Sequence, residues 1–341
     1  MRSNTTYSCI FNEIHKNSYD TMSAHPAPNT KNVIKIAVNV PKVFDKVCNF
    51  AIICLLMLDS MKVKAAAKIN IHLNVLPCRT DAYHGIESIF QRVSLYDSLD
   101  ISKDYSDGIC TVVCEGMELP VENTLTKAYS VFKTVSGVQS GIRVVLNKQI
   151  PSGAGLGGGS SDAASLLLAL DKMFDTGMSS NQLFEAAAKV GSDVMFFLSN
   201  GCAVVTGRGE CVRNITPRND LYFVLVYPEV HCSTALAYSW VDDEIALGKT
   251  VKGPSLSELE EMYYKPVSDW CFVNSFTVPV MSRFKEVSDA FHDISAEGSV
   301  YTQMSGSGSS VFGVFVTKEE AEIACIKLSR KWKRCYLLTS S

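Results

Sequence analysis

Residues 141–174 read Gly141-Ile-Arg-Val-Val-Leu-Asn-Lys-Gln-Ile150, then Pro151-Ser152-Gly153-Ala154-Gly155-Leu156-Gly157-Gly158-Gly159-Ser160-Ser161, then Asp162-Ala-Ala-Ser-Leu-Leu-Leu-Ala-Leu-Asp-Lys-Met-Phe174. A β-branched run is followed by a glycine-rich turn, and the turn by a segment of helical periodicity. Glycine tolerates positive φ and lets the backbone come close to a ligand. The turn ends at a helix N-terminus, where unpaired N–H groups and the positive end of the helix dipole favour a polyanion. Ser160 and Ser161 can cap that helix or reach a phosphate. A flexible linker is the bland alternative, but a linker would not sit between a β-branched strand and a clean helix.

Two familiar phosphate motifs fit this turn poorly. In a Walker A loop Lys-Ser/Thr would stand where this chain has Gly159-Ser160. Gly153-x-Gly155-x-x-Gly158 matches the dinucleotide fingerprint formally, but about twenty residues on, Asp175 closes a helix instead of a second strand.

The rest of the chain bounds the answer. Its 341 residues suffice for two domains, and 47% hydrophobic with 20% charged residues is a globular composition. A net charge of −3 excludes a broad basic face for nucleic acid. The twelve cysteines are scattered, with no CxxC pair and no zinc spacing. Cys110 and Cys114, the closest pair in sequence, share one face of a strand. Free thiols in a reducing cytoplasm are expected. Residues 1–60 read as a disordered extension or an over-long start. Their uncharged run 47–58 is too short for a span of about 20 residues and too far in for a standard signal peptide.

Strands are expected over 63–76, 88–94, 98–101, 109–114, 141–150, 201–206, 221–227 and 311–316. Helices are expected over 124–134 (Asn123 as cap), 162–174, 181–190 (Ser179 or Ser180 as cap), 233–241, 284–291 and 318–331. Residues 249–262 read as polar loop, and a boundary falls near 213–220. The class is α+β.

The glycine turn resembles the nucleotide loop of the GHMP kinase superfamily, Pro-x-x-x-Gly-Leu-Gly-Ser/Gly-Ser-Ser. Ala67-Lys68-Ile69-Asn70-Ile71-His72-Leu73 is similar to that superfamily's first motif, and Met304-Ser305-Gly306-Ser307-Gly308-Ser309-Ser310-Val311-Phe312 to its third. Four further blocks resemble the branch that phosphorylates the 2-hydroxyl of a cytidine diphosphate methylerythritol, in non-mevalonate isoprenoid precursor biosynthesis. They are Arg79-Thr80-Asp81-Ala82-Tyr83-His84, Glu87-Ser88-Ile89-Phe90-Gln91, Gly191-Ser192-Asp193-Val194-Met195-Phe196-Phe197, and Pro228-Glu229-Val230 with Ser233, Thr234 and Tyr238. The likeness runs over residues 61–330.

That resemblance implies a two-domain GHMP kinase fold. An N-terminal ATP-binding domain like the second domain of ribosomal protein S5 would span 61–217, and a ferredoxin-like C-terminal domain 218–341. It implies ATP and Mg²⁺ as cofactors, with no Mg²⁺ ligands assigned. Asp193 would be the general base and Lys68 would orient the acceptor hydroxyl, with Asn70 on the same strand face. Tyr83 and Tyr238 would wall a cytosine slot whose polar edge His84 reads, with Thr234 beside them. Asn123 and Lys148 would meet the adenine end of ATP, and residues 151–161 its phosphates. The expected partner is a small molecule, with no nucleic acid and no membrane, for a cytoplasmic monomer or weak homodimer.

Plainer roles stand beside these: a turn cap for Asp193, a solvated strand-edge lysine for Lys68, plain core for Tyr238 and Phe90. The competing activities are another GHMP kinase, acting on homoserine, mevalonate or a sugar, and a non-catalytic binding protein of the same fold. The chain departs from the branch at Ala82 and Met195, which replace a glycine and a proline, and at Ala154 within the glycine run.

Overall fold

The computed structural model describes residues 59–78, 83–105, 108–249 and 251–341. Residues 1–58 and the departure at Ala82 lie outside the described residues. The described chain forms one compact unit built on two sheets.

The first sheet is six-stranded. β1 (Ser60–Cys78) pairs antiparallel with β2 (His84–Asp104) along nearly its whole length. The other edge of β2 is shared between β5 (Cys202–Thr206) and β4 (Gly141–Asn147). β3 (Cys110–Cys114) adds to β4 in parallel, and β6 (Cys211–Asn214) closes the far edge. Helices α1 (Thr124–Ser136), α2 (Gly158–Phe174) and α3 (Ser180–Val190) pack with one another, and α2 also lies along β1.

β7 (Tyr222–Val226), β8 (Tyr301–Met304), β9 (Val311–Phe315) and β10 (Cys335–Thr339) make the second sheet, antiparallel in the order β10-β7-β9-β8. Between β7 and β8 come α4 (Thr234–Ala246), α5 (Leu259–Tyr264), α6 (Thr277–Met281) and α7 (Lys285–Ala296); α8 (Lys318–Leu328) links β9 to β10. This is a ferredoxin-like βαββαβ order. Alternation along β1 sends Ala67, Ile69 and Ile71 into a core shared with Phe223, Leu225, Phe312 and Val314 of the second sheet. Lys68 and Asn70 therefore point to the opposite face, toward α2.

Several elements depart from the sequence expectations. β2 is one strand rather than two, because a bulge opposite Ala66 and Ala67 absorbs residues 94 and 95 and lets the pairing continue. β4 stops at Asn147, not at 150, because the N–H groups of Gln149 and Ile150 donate to Asp97 Oδ1 at 2.6 and 2.9 Å. α2 begins at Gly158, so residues 158–161 are its first turn and not loop. α5 overlaps the end of the stretch read as loop, β6 overlaps the stretch read as boundary, and α8 ends at Leu328. β8, β10 and the 3₁₀ turn Ser192–Leu198 were not anticipated. Asn123 and Ser179 do cap α1 and α3, each in a capping box.

The cysteines among the described residues are free. Cys325 and Cys335, ten apart in sequence, have their sulfurs 3.7 Å apart. No described helix is long and apolar enough to cross a membrane.

Candidate active site

The glycine turn is locked against the second glycine-rich loop, residues 305–310. Gly153, Gly155 and Gly157 all take positive φ. A Cβ on Gly155 would overlap the Ser305 carbonyl oxygen, and one on Gly157 would sit 3.0 Å from both Lys68 Cγ and Phe197 Cζ. Glycine is required at Gly155 by space as well as by torsion, and at Gly157 by torsion, with the side chains of Lys68 and Phe197 close above it. Ser305 Oγ donates to the Gly155 carbonyl (2.9 Å), Ser310 N–H to the Ala154 carbonyl (3.2 Å), and Lys68 N–H to the Leu156 carbonyl (2.9 Å). Asn274 braces the second loop through the Met304 and Gly306 carbonyls at 2.7 and 2.9 Å.

Three cavities open around this junction. The first, about 380 Å³, is lined by residues 151–160 together with Asn123, Lys148 and Asp162. The second, about 600 Å³, shares Gly153, Gly155, Gly157 and Ser160 with the first and adds Lys68, Asn70, Asp193, His231, Thr234 and Ser307. The third, about 700 Å³, shares Ser192, Arg208 and Tyr238 with the second and adds Tyr83, His84 and Asp242.

In the second cavity Lys68 Nζ lies 3.6 Å from Asp193 Oδ2; the lysine side chain is 5% exposed and the aspartate 31%. Nζ also donates to Asn70 Oδ1 at 2.7 Å and sits 4.3 Å from the centre of the Phe90 ring. Burial lowers the Lys68 pKa, and the Asp193 carboxylate partly opposes that shift. Asn70 donates in turn to Ser88 Oγ at 3.1 Å. Asp193 occupies the first turn of the 3₁₀ segment, which accommodates Met195 with its side chain against the core. Thr234 and Ser307 share a hydroxyl hydrogen bond of 2.9 Å across the cavity.

On the other side of the loop, Lys148 Nζ lies between Asp97 Oδ2 (2.5 Å) and Asp162 Oδ2 (3.0 Å). Burial alone would lower the Lys148 pKa, but the two carboxylates together outweigh it and hold the group above its ordinary value. Burial, helped by Asp97 and opposed by Lys148, pushes Asp162 up to about 7, and its Oδ1 is buried without a hydrogen-bond partner among the described residues. Asn123 lines the first cavity, while its Oδ1 is engaged as the α1 cap, accepting from the Leu125 and Thr126 N–H groups at 3.0 and 3.1 Å.

In the third cavity the ring pairing differs from the expected slot. Tyr238 stacks on His84 (centroids 5.0 Å apart, planes 24°) and meets Phe276 edge-on at 4.9 Å. Tyr83, 55% exposed, lies 4.5 Å below the Arg208 guanidinium. His84 Nδ1 donates to the Leu76 carbonyl at 2.9 Å, and Nε2 faces Asp242 at 3.4 Å. Sequence reasoning missed Arg208, Asp97, Asp162 and Asp242. Gly207-Arg208-Gly209, a cation between two turn glycines, was a readable signal for the first.

The geometry is that of a phosphoryl-transfer site, and comparison with known proteins agrees. Residues 123–201 match the family model described as GHMP kinases N terminal domain. The chain is 42% identical over 284 residues to 4-diphosphocytidyl-2-C-methyl-D-erythritol kinase of Treponema pallidum (strain Nichols), covering 82% of this chain and 98% of the relative. It is 35% identical to the enzyme of that name from Geobacter metallireducens, covering 77% and 92%. A crystal structure of 4-(cytidine 5'-diphospho)-2C-methyl-D-erythritol kinase superposes with a TM-score of 0.68 at 31% identity, covering 82% of this chain and 99% of the other. The chain belongs to the 4-diphosphocytidyl-2-C-methyl-D-erythritol kinase family of the GHMP kinases. It is a small-molecule kinase of α+β fold.

Proposed function

We propose that this kinase transfers the γ-phosphoryl group of ATP to the 2-hydroxyl of 4-diphosphocytidyl-2-C-methyl-D-erythritol, a step toward isoprenoid precursors by the non-mevalonate route. The observation that carries this reading is the Lys68–Asp193 pair, 3.6 Å apart in a cavity continuous with the glycine loop on one side and the Tyr238–His84 stack on the other. Nucleotide in the first cavity and cytidine in the third would bring donor and acceptor together in the second.

Phosphoryl transfer depends on positioning and charge stabilisation more than on covalent help from the protein. Backbone N–H groups of residues 153–160 and the start of α2 cradle the phosphates. Lys68, held by Asn70 and by its packing under Gly157, orients the acceptor hydroxyl. As the new oxygen–phosphorus bond forms, the hydroxyl proton passes to Asp193 and ADP departs with the bridging oxygen. Mg²⁺ bound with the nucleotide would need only one or two protein oxygens beside phosphate and water. The Ser160 hydroxyl lines the cavity where the ion would sit and would supply one of them; when bound, the ion would neutralise phosphate charge.

Steady-state phosphorylation with ATP tests the assignment. Turnover of the cytidine-bearing alcohol with little or none of mevalonate or homoserine is expected. Equal or better turnover of mevalonate would overturn it.

A further inference from the structure

The last helix and the last strand bring two thiols into contact, and neither thiol lines any of the three cavities. Cys325 stands in the final turn of α8, and Cys335 opens β10, where it pairs with Val226 of β7. Both side chains are half-buried at the rim of the core. Their sulfurs are 3.7 Å apart, and Cys335 Sγ also lies 3.8 Å from the Cys325 carbonyl oxygen. With a sulfur and a carbonyl as acceptors, the Cys335 thiol is the donor of the pair. That hydrogen bond brings the Cys325 thiol down to about 7 against the effect of burial, and pushes Cys335 up. Cys325 is therefore the thiol that ionises and attacks, and Cys335 the one that keeps its proton. A disulfide is about 2.05 Å long, so the sulfurs need to close by only about 1.7 Å. The turn between them, Ser329-Arg330-Lys331-Trp332-Lys333-Arg334, is rich in exposed cations. Lys331 pairs with Asp293 and Arg334 with Glu229, while Arg330 and Lys333 make no ion pair among the described residues. Such a turn attracts an anionic oxidant.

We propose that Cys325 and Cys335 form a reversible dithiol–disulfide site, oxidised by exchange with a small anionic disulfide, and that the bond formed staples α8 to β10. The Cys325 thiolate attacks one sulfur of the incoming disulfide, whose S–S bond breaks as one half leaves and takes up a proton. Cys335 then gives up its proton and attacks the Cys325 sulfur, which releases the second half. Two protein thiols are oxidised, one small disulfide is reduced to two thiols, and the two protons pass from the protein to those thiols. The bond closes a loop over residues 325–335, which constrains the unfolded chain and so stabilises the folded one. Phosphoryl transfer uses neither thiol, so the site is independent of the proposed reaction.

The test takes the full chain, reduced and then freed of reductant, and incubates it with oxidised glutathione. Tryptic mapping without reduction should recover the Cys325 and Cys335 peptides joined to each other, since Lys327 and Arg330 supply cleavage sites between them. Excess dithiothreitol should separate them. The oxidised protein should melt a few degrees above the reduced one, and the double variant Cys325→Ser/Cys335→Ser should show no such rise. Cys335→Ser should trap one glutathione on Cys325, whereas Cys325→Ser should leave Cys335 largely unmodified. Arg330→Glu with Lys333→Glu should slow the reaction with oxidised glutathione at least about threefold, and leave that with neutral 2-hydroxyethyl disulfide within about twofold. A lasting glutathione adduct without the internal bond overturns the proposal, as does linkage to another cysteine, such as the exposed Cys271, in its place. A joined pair that melts no higher than the dithiol removes the staple. The opposite trapping pattern overturns the order of attack, and equal slowing with both reagents, or none, overturns the role of the basic turn.

Discussion

Two lysines flank the glycine loop and each faces aspartate, yet the two arrangements differ in every physical respect. Lys148 is gripped at 2.5 and 3.0 Å by carboxylates that are 0% and 3% exposed, and its pKa is held high. Asp97, at the centre of that group, also takes the N–H groups of Gln149 and Ile150 and so ends β4 where the loop must begin. Lys68 is buried with a single loose ion pair at 3.6 Å, its pKa lowered, beside a carboxylate that solvent or substrate can reach. A buried lysine whose ionic partners are buried with it holds the fold together. One left short of partners carries a desolvation cost that only a ligand relieves.

That contrast can be broken by substitution, beginning with the largest effect. Lys68→Met should lower kcat about 10²–10³-fold, the usual loss on removing one positioned donor, while the melting temperature stays level or rises because a desolvated charge is gone. Lys148→Met should do the reverse to the fold, costing about 3–5 kcal/mol in chemical denaturation because two buried carboxylates lose their partner. If the two variants shift stability equally, the distinction fails. Gly155→Ala, with its Cβ driven into Ser305 and its φ of 79° unsuited to alanine, should cost more than about 1 kcal/mol and raise the KM for ATP. Unchanged values would mean the two glycine loops do not interlock.

The same contrast gives a slope with pH. Asp162 is raised from 3.8 to about 7, so between those values the folded state keeps a proton that the unfolded state has released. The stability this group supplies is present at low pH and is lost as pH rises toward 7. Denaturation of the wild type at pH 5 and pH 8 should show that loss, and Asp162→Asn should flatten it. Identical slopes would remove Asp162 from the account.

Much of the site was legible because its chemistry needs particular residues close together in sequence. The glycine turn, the Asn123 cap, and Lys68 and Asn70 on one face of a strand all follow from local rules. The Lys148 network was not seen, although Val93, Leu95, Asp97, Leu99 and Ile101 alternate on the buried face of β2 and place a carboxylate where a hydrophobe belongs. An acid in a core register signals a buried partner, but which partner depends on a chain reversal that spacing does not reveal. β6, β8 and β10 escaped because they are four or five residues long and mostly half-exposed at sheet margins, so their own pattern is weak and pairing decides them. The turn from Tyr83 to Arg208, and the stacking of Tyr238 on His84 rather than across from Tyr83, likewise depend on how α4 meets the first sheet.

On the proposed mechanism Asp193 takes the acceptor's proton, while the first cavity, to which Asp193 does not belong, holds the nucleotide. A single-turnover experiment with Asp193→Asn, preloaded with ATP and mixed with the cytidine-bearing alcohol, tests it most directly. ATP affinity should stay within about twofold of wild type while transfer slows about 10²–10⁴-fold. Transfer at the wild-type rate, or loss of ATP binding in step with transfer, would contradict it.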